Sequence, residues 1–334
     1  MSVSPGSSVR TRAVAEHRPK TTLNTETTTA NRTEIARTNL IFGGFVLLSI
    51  AICWGTLKAL TLFSLQHESS SHVVLIPLIS IYLLYAERGR ILQIVRPSIL
   101  PGGAIVLTAL ILYLATFHLQ LTNDPEKFLP GVTLAVVMLW MGGFLLCYGA
   151  TAWQRASFPL LFLLLMIPLP PTILDSTIYY LQSGSTEIAY LLFKAVGVPV
   201  LREGFILHVP HQSIEVAKEC SGIRSSVALF ITCLLAAHLF LRTKWKMLVF
   251  VLLALPLAII KNGIRITTLT LLAVYVDPSF LTGSLHHDGG FVFFFLGLAI
   301  LFPVLLFLQK SEHDPAKLAA VLPPPTEPGF ARES

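Results

Sequence analysis

Charged residues are scarce in this chain. Only 13% of its 334 residues are Asp, Glu, Lys or Arg, whereas 54% are hydrophobic; a soluble domain usually carries roughly 25% charged residues. So little charge cannot cover a water-facing surface, and the remaining solvent is lipid. A span there needs about 20 apolar residues, and only helices or closed barrels satisfy their main chain. The Leu-, Ile-, Phe- and Ala-rich runs also lack the alternation of barrel strands. The expected fold class is therefore an all-α polytopic membrane protein. Polar residues near mid-span are few, and no internal repeat or inverted pair of Gly/Pro-broken helices is visible, which argues against a transporter or channel.

Cysteine is also sparse. The four residues Cys53, Cys147, Cys220 and Cys233 form no CxxC pair and no Cys/His cluster with zinc spacing, so no metal is expected. Three lie inside apolar runs, where a thiol behaves as a small hydrophobe. Cys220 alone sits in a polar stretch. The net charge of +6 does not point to nucleic acid. The Lys and Arg residues form short clusters between apolar runs, without a basic face interleaved with aromatics.

What is abundant is the apolar run. About eight spans are expected, at roughly 40–62, 72–86, 103–120, 130–148, 156–169, 221–240, 247–268 and 290–308. They divide the chain into a Ser/Thr-rich, disordered N-tail (1–38), a transmembrane domain (39–309) and a Pro-rich C-tail (310–334). A cleavable signal peptide is not expected, because the first apolar run begins near Leu40 and is too long for an h-region. Alternate loops are basic: the N-tail, then Arg88, Arg90 and Arg96, then Arg155, then Arg242, Lys244 and Lys246. By the positive-inside rule both termini are cytoplasmic, and segments 170–220 and 269–289 face outward. Ile173 to Val196 carries apolar residues at helical spacing, interrupted by Asp175, Gln182, Gly184 and Glu187, as in a helix lying in the interface. Phe205 to Val209 and Ile214 to Ala217 read as a hairpin or bent extended connection across Pro210–Ser213.

Three polar motifs fall on the outer side. Glu219-Cys220-Ser221-Gly222-Ile223-Arg224 leads into an apolar helix, placing Cys220 at or just before a helix N-terminus, where the dipole and Arg224 favour a thiolate and Glu215 and Glu219 oppose it. Lys261-Asn262-Gly263-Ile264-Arg265 ends the seventh span; Lys261 suits an interfacial anchor, whereas Arg265 precedes a further apolar stretch. His286-His287-Asp288-Gly289-Gly290 precedes the last span and offers a general base. Together they supply a nucleophile, an oxyanion stabiliser and a proton carrier for acyl transfer.

The strings ECSGIRSS (Glu219 to Ser226), NGIRI (Asn262 to Ile266) and HHDGGFVFF (His286 to Phe294) resemble, in order and spacing, the signature blocks of the exosortase/archaeosortase family. Ser71 to Ile79 looks like its N-terminal block, and Gly197 to Val200 with Glu203-Gly204 like the run before its cysteine. The resemblance covers about 70–310. It implies a cysteine nucleophile at Cys220, an essential arginine at Arg265 and a catalytic histidine at His286, counted back from Gly290, with His287 the alternative. Histidine there points to the bacterial, inner-membrane branch; one departure is Phe291, where the family often has Trp. Arg224, Asn262, Ser221 and Glu219 are candidate supporting residues. The implied activity is that of a cysteine protease/transpeptidase using no cofactor or metal. Its implied partners are exported proteins ending in a Pro-Glu-Pro-like motif, a transmembrane helix and a basic tail, together with an acceptor nucleophile. A membrane polysaccharide polymerase is the competing enzyme class, but it gives Cys220 no task.

Overall fold

The computed structural model describes residues 20–118, 124–210, 212–281 and 290–312, with the main chain alone for 20–32, 219 and 281. Eleven helices are formed among the described residues: α1 (Lys20–Ile52), α2 (Trp54–Gln66), α3 (Leu75–Ala86), α4 (Arg88–Ile91), α5 (Ile99–His118), α6 (Pro125–Arg155), α7 (Ser157–Phe162), α8 (Pro171–Ala195), α9 (Ile223–Phe240), α10 (Lys244–Tyr275) and α11 (Gly290–Lys310). Helix α1 begins at Lys20, well before its apolar stretch.

Seven helical stretches are long and apolar enough to cross a membrane, and a bent pair makes an eighth if it is one span. The expected fifth span is that bent pair. Ser157–Met166 supplies only ten helical residues and meets Pro171–Ala195 at 90°. The cause lies in Ile167-Pro168-Leu169-Pro170-Pro171. A proline removes a helical donor and pushes the preceding residue into extended backbone, whereas Pro171 fits the first turn of a new helix. The segment expected as a helix over Ile173–Val196 is α8. It starts at this break and stops before Gly197 and Pro199.

Burial follows the membrane solvent. In the apolar window of α1 only 6% is buried, against 67% in α6, so α6 is the central post. Exposed residues such as Leu40, Leu100, Ile111 and Phe307 give the apolar exterior that lipid requires. One core gathers Leu60, Ile76, Leu129, Val132 and Phe162. A second joins α9, α10 and α11 through Leu229, Phe250, Leu257 and Leu301.

A third core lies beneath a small sheet. Strands β1 (Leu201–Glu203), β2 (Ile206–Val209) and β3 (Gln212–Glu215) form an antiparallel meander in the order β1-β2-β3. The expected hairpin is present, with Val209 opposite Gln212 and Ile206 opposite Glu215. Strand β1 adds to it. Leu207, Val209 and Val216 pack with Ala189 and Phe193 of α8 and Ile266 of α10, while Leu271 and Val274 close the edge of this core. Helix α10 has 32 residues, about 48 Å at 1.5 Å per residue, and so outruns a hydrocarbon layer of about 30 Å. The meander caps the excess.

Candidate functional site

The Cys220 turn is shaped by its glycine. Lys218–Ser221 forms a 3₁₀ turn, and α9 starts at Ile223. Between them Gly222 takes φ 70°, ψ 23°, the left-handed conformation that side chains disfavour. Space forbids a side chain there as well: a Cβ would sit 2.6 Å from Asn262 Oδ1. Gly222→Ala is thus expected to destabilise the protein by about 1–2 kcal/mol from the backbone alone. The readouts are a lowered melting temperature in detergent and altered alkylation of Cys220. An unchanged melt and alkylation rate would show that the turn does not need this conformation.

Asn262 holds the turn. It is 1% exposed, and its Nδ2 donates to the Cys220 carbonyl at 2.9 Å and to Ser185 Oγ of α8 at 3.0 Å. The helices approach closely enough because Gly263 meets Ile188, and Gly184 meets Ile259, where a Cβ would stand 2.5 and 2.8 Å from the isoleucine methyl carbons. Gln182, one turn earlier on α8 and also buried, donates from Nε2 to the Val216 carbonyl at the end of β3. The Cys220 turn and the end of β3 are therefore held through their main-chain acceptors, while the Asn262–Ser185 bond joins the two helices directly.

Cys220 and Arg265 line one cleft of about 270 Å³, together with Gln212, Ser213, Ile214, Glu215 and Val216 of the meander and Ile266, Leu269 and Thr270 of α10. Both are partly exposed. Of the five buried side-chain oxygens without a hydrogen-bond partner among the described residues, four surround this region: Ser221 Oγ, Ser226 Oγ, Asn262 Oδ1 and Thr270 Oγ1. Such orphans are rare in native interiors and call for an explanation.

The remaining sequence candidates fall as follows. Ser221 is fully buried beneath Cys220. Arg224 points to Glu68 of the α2–α3 connection at 3.7 Å and lies 5.9 Å from the Phe291 ring of α11, so it ties three elements together at the rim; an exposed pair of this kind contributes little stability. The Glu219 side chain, His286 and His287 lie outside the described residues. Lys261, expected as an interfacial anchor, is instead 1% exposed, donating from Nζ to Ser225 Oγ with its stem beside Gly297 of α11. With α9, α10 and α11 all packed around it, its charge has no path to the interface.

Sequence reasoning missed Ser185 and Glu68, and read Gln182 only as an interruption of the apolar pattern. The available signal was spacing. Gln182 and Ser185 are three apart, on the same face of α8 as buried Ala189 and Phe193, and polar residues on a buried stripe are normally paired.

Residues 42–303 match the family model described as transmembrane exosortase. No curated protein and no solved structure matches the chain.

Proposed function

The chain belongs to the transmembrane exosortase family, a family of membrane sorting enzymes, and from that premise we propose that it is a cysteine transpeptidase cleaving C-terminal sorting signals of exported proteins outside the inner membrane. The observation that carries this reading is the shared cleft: Cys220 and Arg265 come from separate motifs yet line the same cavity.

The reaction follows from the residue types. The Cys220 thiolate, favoured by the start of α9 and by a guanidinium across the cleft, attacks a peptide carbonyl. Arg265 stabilises the tetrahedral oxyanion. Collapse breaks the C–N bond, leaves a thioester on Cys220, and sends a proton from His286, or His287 in its place, to the departing amine. An acceptor nucleophile then gives its proton to the same histidine and attacks the thioester, which releases the sorted protein and restores the thiolate. Asn262 holds the nucleophile turn, Ser221 is buried within it, Arg224 braces its helix, and Glu219 stands beside the sulfur's residue in sequence. No step uses a metal or cofactor.

The substrates carry a Pro-Glu-Pro-like motif, a membrane helix and a basic cytoplasmic end. The basic loops at Arg88–Arg96, Arg155 and Arg242–Lys246 support cytoplasmic termini and a cleft on the outer face. A tagged, exported reporter ending in such a signal is expected to be shortened in cells that express this chain and to stay full length without it. A membrane-impermeant thiol reagent is expected to label Cys220 in intact spheroplasts. An unprocessed reporter counts against the activity, and labelling only after lysis reverses the sidedness.

A further inference from the structure

The cleft beside Cys220 runs along a strand edge. Five consecutive residues, Gln212 to Val216, line it. Successive side chains of a strand point to opposite faces, so a cavity that touches every residue in turn follows the main chain rather than one face. Strand β3 is the last in the order β1-β2-β3, and it pairs with β2 alone among the described strands.

The register shows which groups look outward. Val216 N–H donates to the Phe205 carbonyl at 2.9 Å, continuing the β2–β3 register in which Leu207 faces Ile214 and Val209 faces Gln212. Hydrogen-bonded pairs alternate with non-bonded pairs in an antiparallel ladder. The main-chain N–H and C=O of Ser213 and Glu215 therefore turn away from β2, toward the cleft. The facing wall is α10, where Arg265, Ile266, Leu269 and Thr270 fall on one side of the helix. Thr270 is 1% exposed and its Oγ1 has no partner, a buried hydroxyl in the wall of the cleft.

We infer that the segment to be cut binds as an added β-strand on the edge of β3 away from β2, between β3 and α10, with its main chain bonded to Ser213 and Glu215. This deepens the proposed function and rests on it: the strand leads the scissile carbonyl to Cys220 at one end of the edge. Edge addition takes affinity from the main chain and selectivity from alternate side chains. The added strand satisfies groups of an edge that pairs with no other described strand, and only an extended peptide offers donors and acceptors at the matching spacing.

The test uses the full-length chain as Cys220→Ser carrying Ser213→Cys or, separately, Glu215→Cys, co-expressed with the sorting-signal reporter. Single cysteines are walked through the reporter residue by residue and oxidised to disulfides. A strand on this edge gives cross-links at every second reporter position, and the favoured set shifts by two residues between Ser213→Cys and Glu215→Cys. Uniform cross-linking, a three-to-four-residue period, no cross-link, or cross-links joining two copies of this chain would each overturn the inference. The parent chain without these substitutions separates the two levels. If it processes the reporter and the alternation is absent, only the strand addition fails; if it never processes the reporter, the function and the inference fail together.

Discussion

Substituting Cys220 with serine is expected to abolish reporter processing, a loss on the order of 10³-fold or more, because a serine hydroxyl lacks the nucleophilicity of a thiolate without a base built for it. The amount of protein should not change. Asn262 holds the turn through the Cys220 carbonyl, not its sulfur, and serine keeps that carbonyl. The side chain is only partly buried, so little packing is lost. Pulse-labelling of the reporter alongside quantitation of the enzyme separates the two effects. Alanine at Cys53, Cys147 or Cys233 provides the control, since these thiols are 3%, 9% and 1% exposed inside helical cores. Each should leave processing in place. A processing-competent Cys220→Ser chain would end the nucleophile assignment.

Arg265→Gln is expected to slow processing by about 10² to 10³-fold, the range found when one oxyanion donor is removed. Arg265→Lys should recover part of that loss. It restores the charge but not the planar fork of donors, and a flexible ammonium reaches the oxyanion less well. The order Arg, Lys, Gln is therefore the signature of a charge that acts on the reaction. A merely structural arginine would show itself differently, through a lowered melting temperature in detergent. Measuring processing rate and melting on the same three chains decides between them. Equal rates for arginine and glutamine at unchanged stability would remove Arg265 from the chemistry.

Much of the architecture was legible because lipid leaves a simple trace. Leu-rich runs of span length became helices, and the run expected at Phe205–Val209 became β2, whereas the strand expected at Ile214–Ala217 starts two residues earlier and ends at Glu215. Cys220 could be placed before a helix because its polar stretch leads directly into an apolar run. What stayed hidden depends on partners remote in sequence. Nothing local to Gln182 or Ser185 announces Val216 and Asn262, and nothing near Arg224 announces Glu68. Lys261 reads as an anchor until α11 closes over it. The short span at 156–169 looked whole by hydropathy, although the chain turns by a right angle at Pro168, Pro170 and Pro171, where it ends. Proline content marked a break there, but not its direction.

The amide of Asn262 has two N–H bonds and one function for each. One points to the Cys220 carbonyl, the other to Ser185, and its oxygen faces the bare Cα of Gly222. An aspartate has nearly the same shape but, once ionised, no proton to offer either acceptor. It would also set a negative charge beneath Cys220, which the proposed reaction requires as a thiolate. Position 262 is thus selected by a count of protons rather than by volume, and leucine or aspartate would fail there for unrelated reasons.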